Sequence, residues 1–189
     1  MAQPVYPMPP ALPPSLRAAA KPMGETLSVL VLCTGNSARS ILGEALLERM
    51  GAGRIRAYSA GSKPKGLPHP GALRLLARKG FDLARFRSKS WTEFTGPGAP
   101  PIDLAITVCG NAAAETCPIF PGAPLKVHWG LPDPADATGT ETEVDAAFEQ
   151  TWHWLGMRTK ALLALDFAQA DAAALRGELV RIGQMEGAA

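Results

Sequence analysis

Residues 27–40 read LSVLVLCTGNSARS, and this stretch decides the fold prediction. Its first half, Leu27–Leu32, is a short uninterrupted apolar run, which is typical of a strand buried on both faces of a sheet. A polar turn containing Gly35 follows, and from Ser40 to Met50 apolar residues recur at helical spacing. A buried strand joined by a polar turn to a helix predicts an α/β fold.

The same alternation continues along the chain. Its patterns predict further strands at 54–60, 102–108 and 125–129, and helices at 69–79 and 141–165. Apolar strands that alternate with helices indicate a parallel sheet covered on both faces. In such a sheet the functional crevice lies beyond the carboxyl ends of the strands, where the turn after residue 32 is expected.

Two terminal segments differ from the rest of the chain. Residues 1–24 hold seven of the 18 prolines, which predicts a disordered, polyproline-like arm. Residues 167–189 are rich in alanine and predict an appended C-terminal helix. The predicted globular domain is therefore 25–166.

Composition excludes several classes of protein. Of the 189 residues, 47% are hydrophobic and 19% are charged, which is enough apolar sequence for a core. The net charge of +2 lacks the basic excess of nucleic-acid binding, and no apolar run reaches the ~18 residues of a membrane span. Three cysteines do not make a secreted disulfide framework. We expect a cytoplasmic monomer with no nucleic-acid or membrane partner.

The turn that follows the first strand carries a cysteine, five further residues and an arginine. Successive backbone N–H groups at the start of a helix can surround a tetrahedral oxyanion. Arg39 adds a planar fork for two of its oxygens. We expect this positive field to lower the pKa of Cys33, which makes it a thiolate nucleophile. The predicted oxyanion-binding residues are Thr34, Gly35, Asn36, Ser37, Ala38, Arg39 and Ser40.

CTGNSARS, the later Asp133-Pro134 and the order of the strands resemble the low-molecular-weight protein tyrosine phosphatase family, which includes arsenate reductases. The resemblance spans roughly residues 26–165. It implies a four-stranded parallel sheet flanked by helices, with flavodoxin-like layering. It also implies that Cys33 is the nucleophile, Arg39 the anion clamp and Asp133 the general acid, with Asp136 as the local alternative.

The other two cysteines separate the branches of this family. TVCGNAAAETCPIFPG, followed by HWGLPDPA, resembles the thioredoxin-coupled arsenate reductases. That resemblance implies a relay in which Cys33 attacks arsenate, Cys109 attacks Cys33 to release arsenite, and Cys117 attacks Cys109. The alternative is that Cys109 is a buried strand-end thiol and Cys117 an incidental loop residue. The spacing does not suit a zinc site, and a fourth ligand is missing.

Three functions remain open at this point. The leading hypothesis is reduction of arsenate for arsenic detoxification, with no bound cofactor and an external thiol reductant. That reductant is thioredoxin, or a small thiol such as glutathione with glutaredoxin or mycoredoxin. The second is a phosphatase acting through a phosphocysteine, although Ala135 and Asp136 stand where tyrosine phosphatases carry aromatic residues. The third is a non-catalytic oxyanion-binding module.

Cations enter the prediction at two places. No metal centre is expected. Some family members, however, bind potassium at positions that match Asn36, Glu44 and Ser59. The alternative is that Glu44 lies on a solvated face of its helix. Within ARFRSKS (residues 84–90), Arg85, Arg87 and Lys89 predict a solvated basic face or a patch that attracts the anion.

Overall fold

A parallel sheet of four strands forms the centre of the protein. The computed structural model describes residues 26–109, 120, 125–167 and 170–189, so the arm 1–24 and Cys117 lie outside the described residues. The strands are β1 (Leu27–Cys33), β2 (Ile55–Gly61), β3 (Leu104–Thr107) and β4 (Leu125–His128), in the order β2-β1-β3-β4. The helices of the described ranges are α1 (Arg39–Gly51), α2 (Pro70–Arg78), α3 (Glu141–Leu163) and α4 (Ala172–Gly183).

Strand β1 is buried on both faces, as its sequence predicts. Val29 and Val31 point into the larger core, which the four helices share. Leu30 and Leu32 point into a smaller core on the opposite face. Within the described residues this second face is covered by loops and a short 3₁₀ segment at Trp91–Phe94 rather than by a longer helix.

The strand register brings the carboxyl ends of β1, β2 and β3 to one edge. Cys33 pairs with Gly61, and the backbone N–H of Val108 donates to Leu32 O over 2.9 Å. A Cβ at Gly61 would lie 2.5 Å from Thr34 O, so only glycine lets β2 end this close to the turn after β1. Residues that follow three different strands therefore meet at this edge.

The C-terminal segment packs on the same domain. Leu175, Leu179 and Ile182 of α4 belong to the larger core. The indole N–H of Trp129, next to the end of β4, donates to Leu179 O over 2.9 Å. Arg158 of α3 has no exposed surface and donates to four backbone carbonyls, those of Trp154, Gly183, Met185 and Glu186.

The predicted elements are all present, with small shifts at their ends. Strand β3 is shorter than the predicted 102–108, and α3 ends at Leu163 rather than at 165. In the parts of the chain that the structure describes, no helix combines the length and apolarity needed to cross a bilayer.

Candidate active site

The turn between β1 and α1, residues 34–38, forms the floor of a cleft of about 170 Å³ at the carboxyl edge of the sheet. Two of the predicted catalytic groups beyond the turn, Cys109 and Asp133, lie on the wall of this cleft. The residues that line it are Cys33, Thr34, Gly35, Ser37, Ala38, Arg39, Lys63, Lys65, Cys109 and Asp133.

Cys33 lies at the base of the cleft and is 4% exposed. The backbone N–H of Asn36 donates to its Sγ over 3.1 Å, and the Ser40 hydroxyl lies 2.9 Å from the same atom. Burial raises the pKa of the Cys33 thiol, while the contacts with Ser40 and Asn36 lower it by less. The prediction of a lowered pKa is therefore wrong for the protein without a bound anion, because desolvation outweighs the hydrogen bonds.

Asn36 of the turn and Ser40 of α1 do not line the cleft. Both side chains are fully buried, and the Asn36 amide N–H₂ group donates to Ser40 Oγ and Ser59 Oγ, over 2.9 Å each. Asn36 has a φ of 41°, in the left-handed region that asparagine tolerates. These two residues hold the turn and the sulfur from behind, whereas the other predicted anion-binding residues line the cleft: Thr34, Gly35, Ser37, Ala38 and Arg39.

The start of α1 is open toward the cleft. Its N-cap residue is Ala38, which offers no side-chain acceptor to the first backbone N–H groups. Those groups and the positive end of the helix dipole favour an anion. Position 38 therefore suits a helix whose N-terminus is completed by a ligand.

Arg39 crosses the cleft and contacts the loops after β3 and β4. Its Nη1 donates to Leu131 O over 2.7 Å, and its Nη2 donates to Asp133 Oδ2 over 2.5 Å. Its Nε is buried, and no residue in the described ranges accepts its hydrogen bond. A bound oxyanion would supply that acceptor.

The structure distinguishes the two candidate acids. Asp133 lines the cleft, and its Oδ1 accepts the N–H of Ala135 over 3.1 Å, which fixes the carboxyl group. Asp136 is exposed and is not among the cleft residues. Asp133 is therefore the better placed of the two.

Cys109 reaches the cleft because β3 lies beside β1 in the sheet. It lies two residues after the end of β3 and is buried, with Sγ 3.5 Å from Thr34 Oγ1. Its proximity also contributes to the raised pKa of Cys33. Two of the three predicted relay thiols thus share one cleft, and the third, Cys117, lies outside the described residues.

Two exposed lysines on the cleft wall were not predicted. Their backbone N–H groups fasten the loop after β2 to the anion turn: Lys63 donates to Thr34 O and Lys65 to Gly35 O, over 2.9 Å each. Their ammonium groups add positive charge to the cleft. The signal was present in the sequence, since SKPKG follows the strand that pairs with β1.

The basic residues of the run 84–90 differ in their exposure to solvent. Arg85 and Arg87 are exposed, as predicted for a solvated face, and each pairs with a surface glutamate. Lys89 is only 8% exposed, and its Nζ lies 3.3 Å from Glu44 Oε2. The prediction of a solvated face is therefore wrong for Lys89. The alternative that Glu44 lies on a solvated helix face is wrong as well. The cause is the backbone of 88–90, which extends alongside the end of β2 and turns Lys89 inward.

Comparison with known proteins identifies the family. Residues 28–174 match the model of the low molecular weight phosphotyrosine protein phosphatases, and the chain belongs to this family. It is 36% identical to an arsenate reductase of Bacillus licheniformis over 134 residues, covering 70% of this chain and 92% of the relative. It is 35% identical to an arsenate reductase of Bacillus subtilis, covering 72% and 94%.

Solved structures agree with the fold. An arsenate reductase from Archaeoglobus fulgidus superposes with a TM-score of 0.56 at 26% identity, over 72% of this chain and 99% of that one. A low molecular weight phosphotyrosine phosphatase from Vibrio cholerae gives a TM-score of 0.53 at 22% identity, over 72% and 93%. Proteins named as arsenate reductases and as phosphatases therefore share this fold, so the fold does not decide between the two activities. The residues of the site have to decide between them.

Proposed function

We propose that this protein reduces arsenate to arsenite by a thiol relay, for arsenic detoxification. The observation that carries the proposal is the second thiol, Cys109, on the wall of the cleft that holds Cys33. Hydrolysis of a phosphate ester needs one thiol, whereas reduction of As(V) to As(III) needs two electrons, which two thiols supply by forming a disulfide. The relatives named as arsenate reductases support the same substrate.

Binding of the anion begins with an exchange of partners at Arg39. Without substrate, its guanidinium is paired with Asp133. A tetrahedral oxyanion on the turn takes the place of that carboxylate, accepting from Arg39 and from the backbone N–H groups at the start of α1. Asp133, released from Arg39, then lies beside the bound anion, where a carboxyl group can act as the general acid.

The first chemical step joins the sulfur of Cys33 to arsenic. Burial raises the pKa of Cys33 and so favours its thiol form, whose proton passes to the incoming arsenate dianion, which is itself a base. The thiolate then attacks the arsenic, and one oxygen leaves as water after taking a proton from Asp133. The product is an arsenate–cysteine ester in which arsenic is still As(V).

The second step transfers the electrons. The thiolate of Cys109 attacks Sγ of Cys33, a disulfide bond forms, and the sulfur–arsenic bond breaks with its electron pair on arsenic, which leaves as arsenite. Cys117 then attacks Cys109, forming a Cys109–Cys117 disulfide and freeing Cys33. An external dithiol such as thioredoxin, or a small thiol with glutaredoxin or mycoredoxin, reduces that disulfide.

The test compares both activities in one preparation. With NADPH, thioredoxin and its reductase, or glutathione with glutaredoxin, we expect oxidation of NADPH that depends on arsenate. Cys109→Ser and Cys117→Ser should each abolish turnover, while Cys109→Ser should still form the ester on Cys33. Turnover of arsenate at the parental rate by Cys109→Ser would contradict the relay.

The second candidate is hydrolysis of phosphate monoesters, favoured by the family and by the joint presence of Cys33, Arg39 and Asp133 in the cleft. It predicts cleavage of an aryl phosphate that survives the loss of Cys109 and Cys117. Strong ester hydrolysis with no arsenate turnover in either donor system would make this the function.

A further inference from the structure

A buried ion pair lies directly behind the anion-binding turn. The ammonium group of Lys89 is close to three acceptors: Glu44 Oε2 at 3.3 Å, Ser59 Oγ at 3.4 Å and Arg87 O at 3.4 Å. An ammonium group has three N–H donors, so these acceptors match its full capacity. Lys89 thus serves as a coordinated cation within the fold rather than as a surface charge.

The ion pair connects to the nucleophile through Asn36. The Ser59 hydroxyl donates to Glu44 Oε2 and accepts from the Asn36 amide N–H₂ group, and the backbone N–H of Lys89 donates to Asn36 Oδ1 over 2.7 Å. The backbone N–H of the same asparagine donates to Cys33 Sγ. Lys89 therefore holds Asn36 in two ways, and Asn36 holds the sulfur.

The donor set does not fit an alkali ion at the positions where the family resemblance implied potassium. The single side-chain oxygen of Asn36 accepts from a backbone N–H, so the amide turns its N–H₂ group, which cannot ligate a cation, toward Ser59. The carboxylate of Glu44 is already neutralised by Lys89. A buried carboxylate needs one compensating cation, and the chain provides it.

We propose that Lys89 is the internal cation of the anion-binding turn, a positioning residue that keeps Asn36 and Cys33 in place without an alkali ion. This deepens the account of the site and rests on its role in oxyanion binding. Its consequence is that phosphate or arsenate binding and Cys33 reactivity are the same in potassium, sodium and choline salts.

The experiment uses Lys89→Met, which keeps the length of the side chain and removes the charge, with Lys160→Met on the exposed face of α3 as the matched control. The readouts are the affinity for inorganic phosphate and the rate at which iodoacetamide alkylates Cys33, at constant ionic strength in each salt. For the parental protein and for Lys160→Met, we expect the phosphate affinity and the alkylation rate to be the same in all three salts. Lys89→Met should bind phosphate about tenfold more weakly, with potassium restoring part of the affinity.

A second variant separates positioning from simple loss of stability. Lys89→Met/Glu44→Gln removes both charges and leaves an amide oxygen for Ser59, so its melting temperature should recover relative to Lys89→Met. Its phosphate affinity should stay low and should not respond to potassium, because the carboxylate that attracts the ion is gone.

Two results would overturn the proposal. One is a parental protein whose phosphate affinity depends on potassium; the other is a Lys89→Met variant with parental affinity and parental alkylation. Neither phosphate affinity nor alkylation of Cys33 requires arsenate turnover. A lack of reductase activity would therefore contradict the proposed function but would not affect the test of Lys89.

Discussion

Arg39 holds together three parts of the site at the scale of single residues. Its guanidinium contacts carbonyls after β3 and β4 as well as Asp133, and its buried Nε has no hydrogen-bond acceptor among the described residues. A lysine could supply the charge but not the planar fork.

We therefore expect Arg39→Lys to lower kcat/KM for arsenate by roughly 10²–10³, the usual effect of removing one oxyanion donor. The affinity for phosphate should fall in parallel. Steady-state kinetics and calorimetric titration measure the two quantities. Arg85→Lys, which changes an exposed arginine paired with Glu48, is the control and should match the parental protein. If Arg39→Lys had the same kcat/KM as Arg85→Lys, Arg39 would not be part of the anion clamp.

The reactivity of Cys33 has a predictable pH dependence. Burial raises its pKa, so below that pKa the group is a neutral thiol, and its alkylation should accelerate as the pH rises above the range of an ordinary cysteine. Ser40→Ala removes a contact that lowers the pKa and should move the midpoint to still higher pH. The measurement is the iodoacetamide rate against pH without oxyanion. A midpoint below that of a free cysteine would contradict the burial argument.

Single residues also show where sequence reasoning stops. The places of Cys33 and Arg39 in the cleft were predictable, because the spacing of a motif and its position after a strand determine which cleft it enters, whereas Asp133 was reached through the family resemblance. Lys89 was not, because a lysine in a basic run is usually solvated and only the tertiary pairing with Glu44 turns it inward. The direction of the Cys33 pKa was missed for the same reason, since desolvation depends on what surrounds the sulfur.

At the scale of elements, the contact between α2 and α3 positions the turn from the side. His69 caps α2, accepting the N–H of Gly71 on its Nδ1 over 3.1 Å, and its ring stacks on Phe148 of α3 with 5.0 Å between centroids. The backbone N–H of His69 donates to Ser37 O over 2.8 Å. The α2–α3 contact is thus linked to the anion-binding turn.

Gly71 is the tightest point of this contact, since a Cβ there would lie 2.6 Å from Cε2 of Phe148. We expect Gly71→Ala to lower the free energy of unfolding by about 1–3 kcal/mol, the usual cost of overpacking. Denaturant unfolding measures it. Gly177→Ala in α4, where a Cβ meets nothing within 4 Å, is the control and should be neutral or stabilising by about 0.5–1 kcal/mol. Equal stability of the two variants would show that the contact tolerates a methyl group.

At the scale of the whole molecule, the C-terminal segment completes the domain. Its helix was predictable from alanine-rich composition, but its docking was not, because the anchor is Arg158, which sits within the amphipathic pattern of α3 and gives no signal of its own. The parallel sheet, by contrast, was predictable from the alternation of buried strands and helices, although that alternation alone does not determine the order of its strands.

Replacing Arg158 should therefore loosen the C-terminal segment. Arg158→Met leaves carbonyls of Gly183, Met185 and Glu186 without their donor, and we expect a loss of roughly 2–4 kcal/mol in the free energy of unfolding. Faster hydrogen exchange in α4 should accompany it. The exposed Arg176→Met is the control. Unchanged exchange in α4 would mean that the apolar contacts of Leu175, Leu179 and Ile182 suffice.

The central claim is that arsenic receives its two electrons from thiols of this chain. The most direct measurement is a single turnover with fully reduced protein, arsenate and no external reductant, followed by quantification of arsenite and mass-spectrometric mapping of disulfides. The account predicts equal amounts of arsenite and of a Cys109–Cys117 disulfide, with Cys33 again reduced. Arsenite without that disulfide, or no arsenite while an aryl phosphate is hydrolysed, would contradict it.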